Sequence, residues 1–98
     1  MSFHEHLREH RRLVILRCLS ELPTNRTNSS VLFDAVNHYG VTSTRDEVRT
    51  DVAWLAEQGL LRVEALTDHV QLAVLTERGA DVAAGRAFVP GVRKPGPR

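Results

Sequence analysis

Few side chains in these 98 residues are of a kind to do covalent or metal chemistry. The one cysteine, Cys18, follows the apolar run Leu13-Val14-Ile15-Leu16, so it can form no internal disulfide and reads as a buried, inert thiol. His6 and His10 stand one helical turn apart with Glu9 beside them, a spacing that can hold a metal. No second cluster supplies the remaining ligands, so neither a metal nor another cofactor is expected. There is no glycine-rich phosphate loop and no nucleophile motif, which points away from an enzyme. What the chain does carry is guanidinium and hydroxyl groups: Arg8, Arg11, Arg12 and Arg17 early, Thr44, Arg45, Arg49 and Thr50 in the middle, and Arg93, Lys94 and Arg98 at the end. Such groups donate hydrogen bonds to anions, phosphates among them.

The elements that must position these groups follow from periodicity and capping. Ser2-x-x-Glu5 is a capping box that opens a helix running to about Leu22. The apolar residues Leu13, Val14, Ile15, Leu16, Cys18, Leu19 and Leu22 cover more of its circumference than one core-facing stripe requires. Val14, Ile15 and Cys18 are therefore expected to meet a second copy of the chain in a homodimer. After the polar loop Pro23 to Asn28, Asn28 or Ser29 caps a short helix whose Leu32, Ala35, Val36 and Tyr39 keep helical spacing, closed by Gly40. Thr44-x-x-Glu47 is a second capping box, and Val48, Val52 and Leu55 form the inward stripe of a helix ended by Gly59. Two helices joined by so short a glycine-containing turn make a helix-turn-helix, whose second helix is commonly offered to the major groove. Residues 60–66 and 70–76 alternate in part around the turn Thr67-Asp68-His69 and predict a β-hairpin, after which Thr76 caps a last helix, Glu77 to Ala84.

Composition sets the bounds. Apolar residues at 42% and charged residues at 26% describe an ordinary globular domain. The longest apolar run, Val52 to Ala56, is far short of a membrane span, and the start Met-Ser-Phe-His-Glu does not read as a signal peptide, so a cytoplasmic protein is expected. The net charge of +1 is uneven: Arg86, Arg93, Lys94 and Arg98 follow the last acid, Asp81, and without them the body is acidic. A globally basic face is missing, so any affinity for nucleic acid must rest on local patches. The expected organisation is one domain, 1–85, and a flexible basic tail, 86–98.

The stretch Val48-Arg-Thr-Asp-Val-Ala-Trp-Leu-Ala-Glu-Gln-Gly-Leu-Leu61, with the hairpin and Leu75-Thr-Glu-Arg-Gly79 after it, resembles the recognition helix, wing and closing helix of MarR-, ArsR- and DeoR-like winged-helix proteins. The whole chain also resembles the small winged-helix proteins of Mu-like transposable phages and prophages. The resemblance implies an α+β winged helix-turn-helix with a three-helix core, a β-hairpin wing and a short C-terminal helix. It further implies double-stranded DNA as partner and a role in transcription regulation. Thr44, Arg45, Arg49 and Thr50 match the donors expected on a recognition helix, His69 sits at the wing tip, and Arg93 and Lys94 would form an electrostatic arm. Asp46, Glu47 and Asp51 depart from that pattern, since carboxylates near phosphates oppose binding. They keep a second function in view: a protein-interaction adaptor of the same fold, in which Trp54, Asp46 and Glu57 meet a phage or host protein.

Overall fold

The computed structural model describes residues 2–96. Helix α1 (Phe3–Glu21) starts where the Ser2 side chain accepts from the Glu5 amide. It ends where Asn25, at positive φ, donates its side-chain amide to the carbonyls of Leu19 and Leu22. There follow β1 (Arg26–Asn28), α2 (Ser29–His38), α3 (Arg45–Glu57), β2 (Leu61–Ala65), β3 (Gln71–Leu75) and α4 (Glu77–Ala83). The strands form an antiparallel sheet in the order β1-β3-β2, with Thr27 and Val63 both paired to Ala73. Among the described residues four helices and this three-stranded sheet make an α+β arrangement that fits a winged-helix-like fold. Strand β1 is an addition to the expected hairpin. Its three residues are too few to show alternation, and their pairing comes from the free edge of β3.

The core gathers Leu13, Ile15, Leu16 and Leu19 of α1, Leu32 and Val36 of α2, Val48 and Leu55 of α3, and Leu60, Leu61 and Val82 around the sheet and α4. α1 is the central helix, contacting α2, α3, α4 and β3. That placement corrects the expected dimer strip: Ile15 is wholly buried and Val14 nearly so within the one chain, and only Cys18 of the three stays partly exposed. The wide apolar surface of α1 is spent on neighbours of its own chain. Between β3 and α4, Thr76 caps α4 by accepting from the Gly79 amide and ties back by donating to the Gly59 carbonyl. Gly79 lies so near the Leu60 carbonyl that a methyl group there would overlap it, which gives the Leu-Thr-x-x-Gly motif its physical basis.

The segment after α4 is also corrected. Instead of trailing as a flexible tail from residue 86, it returns to the body, with Val89 and Val92 buried and the Arg93 amide donating to the Glu9 carbonyl of α1. Two valines three residues apart are apolar enough to dock, although the surrounding Pro, Gly and basic residues hide them from a compositional reading. Arg98 lies outside the described residues. Among the described residues no helix is long and apolar enough to cross a membrane.

Candidate nucleic-acid interface

The turn that presents α3 is held at both ends. The side chain of Asn37 donates to the Phe33 and Ser43 carbonyls and accepts from the Ser43 amide at 3.0 Å, which fixes the approach to the helix. The capping box then closes: the Glu47 amide donates to Thr44 Oγ1 at 3.0 Å and the Thr44 amide to Glu47 Oε1 at 2.9 Å. Val48, Asp51, Val52 and Leu55 turn inward, leaving Arg45, Asp46, Glu47, Arg49, Thr50, Ala53 and Glu57 exposed.

The inward position of Asp51 changes the charge of that face. Only 1% exposed, it accepts from Arg11 Nη1 at 2.9 Å and from Arg12 Nε at 3.0 Å. Both arginines are themselves buried: Arg11 also donates to Ser43 Oγ at 2.6 Å, and Arg12 to the Gly91 carbonyl at 3.0 Å. Glu47 is engaged too. The backbone hydrogen bond from Thr44 is the main reason its carboxyl is held below the usual range, and Arg11, 3.5 Å away, adds to it. Of the three acids that departed from the recognition-helix pattern, Asp46 is therefore the one left exposed and unengaged among the described residues. Arg11 and Arg12, named above among the possible anion donors, are structural. So is Trp54, whose ring has the Arg12 guanidinium 3.8 Å from its centroid and Gly91 against its edge. Gly91 has positive φ, and a Cβ there would strike that ring. Trp54 packs beneath the returning C-terminal segment, neither under the hairpin nor outward as an anchor, whereas Asp46 and Glu57 are exposed.

Beside α3, the start of α2 and the hairpin enclose a hollow lined by Ser29, Arg49, Asp68, His69 and Gln71. Its neighbour is an apolar cleft floored by Leu32, Val52, Ala53, Val63 and Leu72, again with Arg49 on its wall. Arg45 lies with its guanidinium 4.5 Å from the Phe33 ring centroid and 3.4 Å from Ser30 Oγ. The structure thus brings Arg49 and His69 to one groove and sets Arg45 on the same helix one turn away. Thr44 and Thr50 are exposed on that helix, Thr50 near Arg8 and Asp46. Arg93 and Lys94 are not part of the groove: Arg93 is held against α1 with Nη1 3.4 Å from His10 Nδ1, and Lys94 lies over the Phe88 ring at 4.7 Å. Ser29 and Gln71 join the groove and Ser30 meets Arg45 unpredicted, because single polar residues at a helix start or strand end carry no periodic signal. His6 and His10 gain no further ligands: among the described residues no group of three or more His, Cys, Asp or Glu could hold a metal.

Comparison with known proteins finds no matching family model. Over 92 residues, 94% of each chain, the protein is 50% identical to the uncharacterized protein gp26 of Escherichia phage Mu. It is also 45% identical over 78 residues to an uncharacterized protein of Haemophilus influenzae, covering 80% of this chain and 76% of that one. Among solved structures it superposes on hsRosR-S1, described in a complex structure, with a TM-score of 0.65 at 19% identity. The match covers 74% of this chain and 63% of the other, and is a likeness of fold.

Proposed function

The chain belongs to the family of the Mu phage protein gp26, and from that premise we propose that it is a winged helix-turn-helix protein that binds double-stranded DNA. On this reading it is a regulator of transcription of phage or prophage type, acting in the bacterial cytoplasm, and a binding protein with no catalytic role. The observation that carries the reading is the fate of the α3 carboxylates. With Asp51 buried between two arginines and Glu47 engaged by the helix cap and Arg11, the exposed N-terminal half of α3 offers Thr44, Arg45, Arg49 and Thr50 with one unengaged acid, Asp46. Guanidinium groups there can take phosphate oxygens or the O6/N7 edge of guanine in a bidentate grip. The hydroxyls and the N-terminal end of the helix itself favour phosphate. His69 and Gln71, across the groove from Arg49, would meet the backbone beside the helix, so α3 reads and the hairpin positions.

The test is fluorescence anisotropy with a random-sequence duplex at about 50 mM salt, where even nonspecific contacts are retained. Wild-type protein should bind. Arg49→Ala, at an exposed position, should weaken binding by about 1–3 kcal/mol with the circular dichroism unchanged. Absence of any wild-type affinity under these conditions rules the reading out.

A further inference from the structure

The segment after α4 reaches the DNA-facing helix through an unbroken chain of contacts. It is anchored along α1 by the buried Val89 and Val92 and by the Arg93 amide on the Glu9 carbonyl. Between the two valines, the Gly91 carbonyl accepts from Arg12 Nη1 at 3.0 Å, and the same guanidinium donates through Nε to Asp51 of α3 at 3.0 Å. Asp51 also accepts from Arg11, whose Nε donates to Ser43 Oγ in the turn that leads into α3. Arg11, Arg12, Ser43 and Asp51 are all buried, so water neither screens nor replaces these bonds. A second path runs through Trp54 of α3, whose ring lies between the Arg12 guanidinium, 3.8 Å from its centroid, and the Gly91 backbone at its edge. Gly91 is the joint of both paths. Its φ of +99° suits glycine, and a Cβ there would stand 2.8 Å from two atoms of the Trp54 ring and 3.2 Å from Arg12 Nη1.

We propose that this segment is a positioning element of the DNA-reading surface, with Gly91 the positioning residue through which it sets where α3 stands against α1. Packed helices shift past one another by about 1–2 Å with little cost, whereas a bidentate grip needs its donors held within about 0.5 Å. Arg45 and Arg49 ride on the same helix as Asp51 and Trp54, so whatever fixes those two inward residues fixes the outward arginines. The segment acts by geometry and not by charge, since Arg93 and Lys94 are turned to His10 and Phe88 and away from the groove. The consequence for binding rests on the DNA reading above, while the displacement of α3 is measured without DNA.

The test uses the full chain as wild type, Gly91→Ala, Arg49→Ala, the Gly91→Ala/Arg49→Ala double variant and the Arg93→Gln/Lys94→Gln pair, at a temperature where circular dichroism shows each folded. Val92→Ala, which loosens the anchor, takes the place of Gly91→Ala if that variant does not fold. Without DNA, Gly91→Ala should move the amide shifts of Ser43, Thr44 and Arg45, which lie beyond the reach of the altered residue itself. With a random-sequence duplex, Gly91→Ala should bind about tenfold more weakly. Arg49→Ala should cost at least about fivefold in the wild type but less than about twofold beside Gly91→Ala, because a misplaced arginine has little grip to lose. A role in stability alone would leave the two losses independent. Unmoved amides at Ser43 to Arg45, losses that simply multiply, or a loss from Arg93→Gln/Lys94→Gln as large as that from Gly91→Ala overturns the proposal. If the wild type binds no duplex, the DNA reading has failed, and the amide shifts alone decide whether the segment positions α3.

Discussion

Asp51→Asn is the change that most sharply separates a structural carboxylate from one that faces DNA. Asp51 is enclosed with two guanidinium groups at 2.9 and 3.0 Å. Removing one partner of a buried ion pair costs about 3–5 kcal/mol, since the remaining charge stays buried without compensation. Asparagine keeps one acceptor oxygen, which puts the expected loss near the lower figure, about 3 kcal/mol. Each kcal/mol moves the melting temperature of a domain of 60–100 residues by about 4–8 °C, so a fall of about 12–24 °C is predicted. Thermal melts followed by circular dichroism measure it, with Asp46→Asn as comparison. Asp46 is exposed on the same helix. Its replacement should leave stability within about 0.5–1 kcal/mol, the range for exposed charges near a helix N-terminus, and tighten binding to duplex. If Asp51→Asn instead melts within about 4 °C of wild type and binds DNA more tightly, the assignment of Asp51 as a buried structural carboxylate is refuted.

Truncation after Gly85 removes the buried Val89 and Val92 and uncovers Trp54. After the regained chain entropy is counted, stability should fall by on the order of 1–3 kcal/mol, read as a lower urea midpoint. Retention of the full midpoint would show that the segment contributes nothing. Burial first, then Arg93 and Arg17, hold the His10 imidazole below its ordinary 6.5. The unfolded chain therefore binds the proton more readily, and the stability from neutral His10, complete above about pH 6.5, is lost as pH falls through the depressed native value. Melting curves at descending pH below 6.5 should show this loss, and His10→Gln should flatten that part of the profile.

Much of the fold could be read from spacing and caps. Ser2, Asn28, Thr44 and Thr76 each cap the helix that follows, and the inward stripe Val48-Val52-Leu55 is as the wheel places it. Local signals of this kind act within one or two turns, so a single sequence displays them. The site was legible only in part for the opposite reason. Arg11 and Arg12 meet Asp51 across about forty residues, and Arg12 meets Gly91 across a still longer separation. A helical wheel assigns all of these to solvent or to neighbours on their own helix. Likewise, α1 is apolar over more than one face because α4 and the returning Val89-to-Val92 segment cover it, and periodicity cannot tell such cover from a second subunit.

Amide chemical-shift mapping during titration with a short duplex tests whether the α3 face and the hairpin groove form the DNA-reading surface. Perturbations should concentrate at Ser29, Ser30, Thr44 to Thr50 and His69 to Gln71, with α1 around Arg17 and Glu21 unmoved. Perturbations centred on α1 and α2 instead, or none at saturating duplex, would contradict it.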